Sequence, residues 1–274
     1  MRRALAGCLA LSFGATPVGV FLMLRRMSLS ADAISHAILP GAAAAYLIAG
    51  LSLPAMTFGG LLAGIAVALL AGGVARNSII REDTSFAALY LISLSTGVSL
   101  ISLRGSNVDL LHVLFGSVLA LDDASLFLLA AFASLSILAL AAGLRLLVFE
   151  CCDPSHLARV SRLGPLAHYG FMTLVVVNLI GGFHALGTLM AAGIMILPSA
   201  SARLWANSIP ALLAIAPLLA FAGSVCGLLL SFYLDFPAGP AVVLTLGALY
   251  LFSMAAGPFG PLVRRLRPRW HFEH

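Results

Sequence analysis

The chain has 274 residues, of which 61% are hydrophobic and 9% charged, with a mean hydropathy of +1.09. A soluble domain carries about 25% charged residues, so this composition excludes a soluble enzyme, a disordered chain and a nucleic-acid-binding domain. The formal net charge of +5 fits basic cytoplasmic loops of a membrane protein and implies no nucleic-acid partner.

Apolar runs broken by charges or by Gly and Pro predict spans, in chain order, at about 4–24, 31–50, 55–75, 85–103, 124–149, 166–183, 185–203, 208–233 and 240–257. Each is near the roughly 20 residues that a helical bilayer crossing needs. The first run ends in Arg25-Arg26 rather than at a small-residue cleavage site, so it reads as a retained span. The segment 107–120 holds Asn107, Asp109, His112 and Gly116 and is short, which fits a re-entrant or interfacial half-span. Gly181 to His184 is the expected divider between the sixth and seventh spans. The fold class is therefore all-α: a polytopic membrane helix bundle with about nine transmembrane helices and one short re-entrant helix, in a single domain over 1–274.

Orientation follows the arginines, because Lys is absent from the loops. Arg25-Arg26, Arg76 with Arg81, Arg145 with Arg159 and Arg162, Arg203, and the basic tail within 258–274 mark alternate span ends. They share the cytoplasmic side if the N-terminus is outside, with Asp122-Asp123 and Asp235 on the outer side; Arg2-Arg3 and Arg104 are exceptions. Small-residue runs such as Gly41 to Ala45 predict close helix packing. No internal repeat supports an inverted-repeat architecture.

Ionisable residues inside a membrane are costly and so are functional candidates. The sharpest are Asp32 and His36, four residues apart early in the second span. On a helix they share one face, about 5–6 Å apart, and a carboxylate with an imidazole can ligate one divalent transition metal. Pro40-Gly41 follows, and Pro40 can kink or break the helix there. The same spacing also serves a hydrogen-bonded pair that merely steadies the helix, and spacing alone leaves both readings open. Two ligands do not complete a site; a homodimer with the site on its two-fold axis would supply two Asp and two His.

Other positions are weaker candidates. Asp109 and His112, three apart in the half-span, suit either an outer mouth or a helix cap. His184 at a span junction faces either the pathway or a loop. Asp235 reads as a turn residue. Cys8 and Cys226 lie in apolar runs, and adjacent Cys151-Cys152 lacks metal-site spacing. The polar stretch from Glu150 to Gly164 reads as a short amphipathic helix, N-capped by Asp153 with Pro154 at its first position and stopped by Gly164-Pro165. Such a helix suits either a docking element or a resting place on lipid headgroups.

Five stretches taken in order are specific as a set. They are Arg25-Arg26 to Asp32, His36 and Pro40-Gly41; Arg81 to Thr84; Leu114 to Leu119; Leu186 to Arg203; and Asp235 to Val243 with its Asp-x-Pro-Ala-Gly-Pro pattern. Together they resemble the membrane permease subunit of zinc/manganese/iron-type ABC importers, over about residues 4 to 256. The resemblance implies a fold like the large cobalamin-type importer permeases, in a bacterial inner membrane. It implies a homodimer, cytoplasmic ATP-binding subunits and an extracytoplasmic metal-binding protein as partners. It makes Asp32 and His36 the metal ligands; His184 departs from the resemblance, which leads one to expect a Lys or other non-ligand residue there, and His184, Asp109 and His112 stand as weaker candidates on the residues' own reading. It makes about 153–163 the coupling helix to the ATPase, carried by Asp153, Pro154, Arg159 and Arg162, and 107–120 a gating helix.

The expected function is thus the permease of an ATP-driven importer of zinc or manganese, with iron a further candidate. No permanently bound cofactor is expected. The chain has no Gly-x-x-x-x-Gly-Lys loop, so ATP hydrolysis falls to a partner, and the chain itself is not an enzyme. His-Glu-x-x-His is absent, which argues against a metalloenzyme. The alternative is an ion-coupled secondary metal transporter that needs no ATPase.

Overall fold

Inside a bilayer no water is available to backbone N–H and C=O groups, so a spanning chain bonds them within helices. The structure, a computed structural model, describes residues 2–50, 52–79, 82–103, 121–152, 163–261 and 263. Among the described residues there are helices and no strands. In chain order they are α1 (Arg2–Leu24), α2 (Ser28–Ala37), α3 (Leu39–Ala49), α4 (Leu53–Asn77), α5 (Glu82–Leu103), α6 (Asp123–Cys152), α7 (Leu163–Leu186), α8 (Thr188–Arg203), α9 (Ile209–Leu234) and α10 (Ala238–Ala256). By length and composition, 7 stretches can cross a membrane, with α2 and α3 counting as one, Ser28–Ala49. α5 and α8 pack among them, giving the nine-rod bundle that the apolar runs predict.

Among the described residues the arginine–carboxylate pairs gather at the two ends of the bundle. At one end Arg3 Nη2 lies 2.8 Å from Asp123 Oδ2, which ties the starts of α1 and α6. Beside it Asp122 caps α6, its Oδ1 accepting from the Ser125 N–H at 3.0 Å. Hydrogen bonds from the Ser125 side chain and backbone hold the Asp122 carboxyl below the usual carboxylate range. At the opposite end Arg25 Nη2 lies 3.0 Å from Glu150 Oε1, tying the end of α1 to the end of α6. We call these the aspartate end and the arginine end.

Between the ends, helices meet through small residues, as packing in lipid requires. A methyl group added at Gly19 would collide with the Met195 carbonyl of α8. Next to that crossing Thr16 Oγ1 donates to the Ile194 carbonyl at 3.1 Å, and Ser199 Oγ donates to the Thr16 carbonyl at 3.1 Å. α3 and α4 cross at Gly41 and Gly59, where a Cβ on either would run into the other's carbonyl. A Cβ on Gly97 of α5 would sit 3.2 Å from the Pro40 nitrogen, so α5 closes on α3 from another side.

Two turns use left-handed backbone on non-glycine residues. α1 ends in a Schellman motif: Met27 N–H donates to the Leu22 carbonyl at 2.9 Å, and Arg26 N–H donates to the Met23 carbonyl at 3.0 Å. Arg26 holds the left-handed position with φ 60°, where a glycine would avoid a cost of roughly 1–2 kcal/mol. Asp235, expected as a turn residue, closes α9 with φ 50°. The α7–α8 divider falls at Gly187, φ 89°, rather than at Gly181 to His184. Gly181 and Gly182 stay helical because their missing side chains make room for Phe132 and Ala191. The second span starts at Ser28, earlier than expected, and breaks at Ile38, just before Pro40. The half-span with Asp109 and His112, the segment with Asp153, Pro154, Arg159 and Arg162, and the tail beyond 263 lie outside the described residues.

The small-residue crossings are directly testable. Gly41→Val and Gly59→Val are each expected to lower the folded fraction in detergent, since overpacking costs about 1–3 kcal/mol. Gly143→Ala, which meets open space, is expected to match wild type. Thermal melts followed by size-exclusion fluorescence check the contrast.

Candidate functional site

α2 buries Ser30, Ala31, Ala33, Ile34, Ser35 and Ala37 against the bundle. Its other face, at the 3–4 spacing of a helix, presents Leu29, Asp32 and His36. The Asp32 side chain is 61% exposed and that of His36 19%. Ser35 Oγ donates to the Asp32 carbonyl at 2.7 Å, so that hydroxyl is spent locally.

His36 Nε2 stands 3.8 Å from Asp32 Oδ1. That is too long for a hydrogen bond, so the two groups do not simply satisfy each other. The two groups stand on the same face of α2, a short gap apart. Metal–nitrogen and metal–oxygen bonds of about 2.0–2.2 Å allow one ion to bridge the gap. Pro40 has no N–H to offer the His36 carbonyl four residues back.

The His36 ring packs on Tyr90 of α5, with centroids 5.3 Å apart and planes tilted 49°. Its Nδ1 is buried with no hydrogen-bond partner. Between α2 and α5 lies a cleft of about 190 Å³, lined by Leu29, Asp32, Ala33, Asp83, Phe86, Ala87 and Tyr90. The site thus has a second wall, with a carboxylate and a phenol that sequence reasoning did not single out. Asp83 reads naturally as first-turn acid that complements the α5 dipole. The signal that finds it is the helical spacing 83, 86, 87, 90, which puts Asp83 and Tyr90 on one face.

His184 does not line this cleft. It sits in the last turn of α7 with its ring against Phe183, centroids 5.0 Å apart, and its Nε2 is buried without a hydrogen-bond partner. His168, sixteen residues earlier on the same helix, is at the arginine end, so His184 lies roughly 24 Å away along the axis at 1.5 Å per residue. Among the described residues no three His, Cys, Asp or Glu side chains form a metal-holding group. One copy of the chain therefore offers the Asp32–His36 pair and, across the cleft, Asp83.

A profile of the ABC 3 transport family matches residues 1–257. The chain belongs to that family. The manganese import system permease protein ScaB of Streptococcus gordonii is 32% identical over 259 residues, covering 94% of this chain and 91% of that one. A probable iron transport system membrane protein of Haemophilus influenzae is 30% identical over 256 residues, covering 93% of each. A solved structure, PsaBC from Streptococcus pneumoniae in complex with Fab, superposes with a TM-score of 0.84 at 29% identity, covering 97% of this chain and 95% of that one. As an ABC 3 family member the chain is a multi-span permease of a bacterial inner membrane, a transport subunit and not an enzyme. Its fold is that of an ABC permease.

The open face of α2 predicts a labelling pattern. In a background with the native cysteines replaced, Asp32→Cys is expected to react with a water-soluble thiol reagent at least about tenfold faster than Ser35→Cys, because thiol reactivity follows exposure and Ser35 is only 2% exposed. Equal rates would mean that the Asp32 face is closed.

Proposed function

We propose that this ABC 3 permease carries manganese(II) through a pathway formed by two copies of itself, with Asp32 and His36 of each copy holding the ion in transit. The observation that carries the reading is the pair itself: a carboxylate that lines a cleft within a membrane bundle, with an imidazole 3.8 Å from it and not hydrogen-bonded to it. A two-fold arrangement gives two carboxylates and two neutral imidazoles. Two negative charges then balance one divalent ion in a low-dielectric setting, where an unbalanced charge is expensive.

Carboxylate and imidazole donors suit manganese, iron(II) and zinc, while no thiolate is at hand to favour softer ions. The similar proteins named above are a manganese import system permease and a probable iron transport system membrane protein, which ranks manganese first, iron next and zinc after them. Two flexible ligands per copy also bind loosely enough to release a cargo, unlike a closed structural site.

The orientation follows from charge, and the partners from the resemblance to ABC importer permeases. The arginine end faces the cytoplasm under the positive-inside rule. Cytoplasmic ATP-binding subunits dock there, on the segment at about 153–163, through Asp153, Pro154, Arg159 and Arg162. An extracytoplasmic metal-binding protein delivers the ion at the aspartate end. Alternating access then exposes the Asp32–His36 site to each side in turn, and His184, remote from the cleft, serves the α7–α8 corner.

The test is uptake of radiolabelled manganese in cells lacking their own importer, with the chain expressed beside its ATPase and binding protein. Asp32→Asn and His36→Ala are expected to reduce uptake by about tenfold or more, each tenfold being 1.4 kcal/mol of lost interaction, at matched membrane levels. His184→Ala is expected to stay within about twofold of wild type, as befits a side chain that lines no part of the site. Wild-type uptake by His36→Ala would make Asp32–His36 a structural pair. Uptake that persists without the ATPase would favour a secondary transporter.

A further inference from the structure

The arginine end holds a buried ionic cluster that the metal pathway does not use. Arg25 lies in the turn between α1 and α2, three residues before α2 begins. Its Nη2 donates to Glu150 Oε1 at 3.0 Å and contacts His168 Nδ1. The guanidinium also stacks over Phe171, 5.1 Å from the ring centroid. On the other side of the imidazole, His168 Nε2 is 2.9 Å from Glu82 Oε1. A guanidinium has only donors, so Nδ1 is placed to accept from Arg25, while Nε2 meets Glu82 Oε1 as a close ionic contact without the alignment of a hydrogen bond. The side chains of Arg25, Glu150 and His168 are 11%, 7% and 6% exposed.

Each member stands at the root of a different helix. Arg25 precedes α2, which carries Asp32 and His36. Glu82 begins α5 and neighbours Asp83 in the cleft wall. His168 is in the second turn of α7. Glu150 is in the last turn of α6, three residues before Asp153. Both walls of the Asp32 cleft are thus linked, through four side chains, to the residue that leads into the proposed docking segment.

The cluster is also only half made. Arg25 Nη1, Glu150 Oε2, His168 Nε2 and Glu82 Oε1 are buried and have no hydrogen-bond partner. A guanidinium and a carboxylate can pair through both arms at once, and the single contact seen here leaves one arm of each unused. A buried ion pair is a poor device for stability alone, since apolar residues of similar size serve as well or better. The turn that places Arg25 is itself held in left-handed backbone at Arg26.

We propose that Arg25, Glu82, Glu150 and His168 form a coupling joint. The end of α6, at Glu150, is tied through Arg25 to the start of α2 and through His168 to the start of α5, so a shift of Glu150 opens or closes the metal cleft. The four are positioning residues: none of them touches the ion. The proposal rests on the reading of 153–163 as the ATPase-docking segment, and the experiment separates the two.

The permease–ATPase complex is purified, reconstituted in vesicles with its binding protein, and assayed for both ATP hydrolysis and manganese transport. Arg25→Gln and Glu150→Gln are expected to retain the ATPase and hydrolyse ATP within about twofold of wild type. Transport per ATP should fall by about tenfold, the size of a coupling energy of 1–2 kcal/mol. The charge-swapped double variant Arg25→Glu with Glu150→Arg is expected to recover transport beyond what the single variants predict additively. Glu82→Gln, at the more exposed edge of the cluster, carries the test if Arg25→Gln fails to fold. Arg159→Glu is expected to lose the ATPase on purification. Normal transport per ATP by Arg25→Gln and Glu82→Gln, with the ATPase bound, overturns the joint and leaves the docking segment standing. Full ATPase retention by Arg159→Glu overturns the docking segment and with it the joint's route.

Discussion

An aspartate and a histidine on one helical face inside a membrane would ordinarily lower their energy by bonding to each other. Here the α2 backbone holds them one turn apart, and the 3.8 Å gap between His36 Nε2 and Asp32 Oδ1 leaves both short of that bond. His36 Nδ1 is buried without a partner, which is costly for a polar group, while the Asp32 carboxylate stays open to its surroundings. Tyr90 packs against the imidazole from α5. Ser35 turns its hydroxyl back to the backbone, so it cannot bridge the pair. In the proposed reading, the site would take a cation through this spacing rather than through a dense set of ligands.

The restraint depends on how closely α2–α3 is gripped. Gly41 and Gly59 bring α3 onto α4, and Gly97 brings α5 to within touching distance of Pro40. Backbones that meet without intervening side chains have few alternative arrangements, which suits a membrane, where the hydrophobic effect does not drive helices together. Among the described residues the arginine–carboxylate pairs gather at the ends, as Arg3–Asp123 and as the Arg25–Glu150–His168–Glu82 cluster. Rigid crossings in the middle and ionic contacts at the arginine end divide the labour: the crossings preserve the site's shape, and the ionic end gives the helices a common point at which to be moved.

The sequence made the local features legible and left the distant ones dark. Helical runs stand out because apolar stretches of about 20 residues have few other uses, and Asp32 with His36 stands out because four-residue spacing needs no tertiary information. Asp83 was hidden by a sufficient local explanation, since acid in the first turn of a helix is ordinary. The ionic cluster was hidden by separation: Arg25 meets Glu150 and His168 across 125 and 143 positions of chain. The α7–α8 corner was misplaced by a few residues for a physical reason. Gly181-Gly182 looks like a break in sequence, yet those glycines admit Phe132 and Ala191, and the break is made by the positive φ of Gly187. That His184 belongs to the last turn of α7, away from the cleft, follows from the same shift.

The central claim is that His36 is a ligand to manganese in transit. Manganese electron paramagnetic resonance with nitrogen hyperfine detection, on the purified permease–ATPase complex loaded with the ion, tests it most directly. The account predicts imidazole nitrogen coupled to the bound ion in the wild-type complex, and its loss in His36→Ala while the carboxylate-bound signal of Asp32 remains. A spectrum with oxygen ligands only, or a nitrogen signal unchanged in His36→Ala, would contradict it.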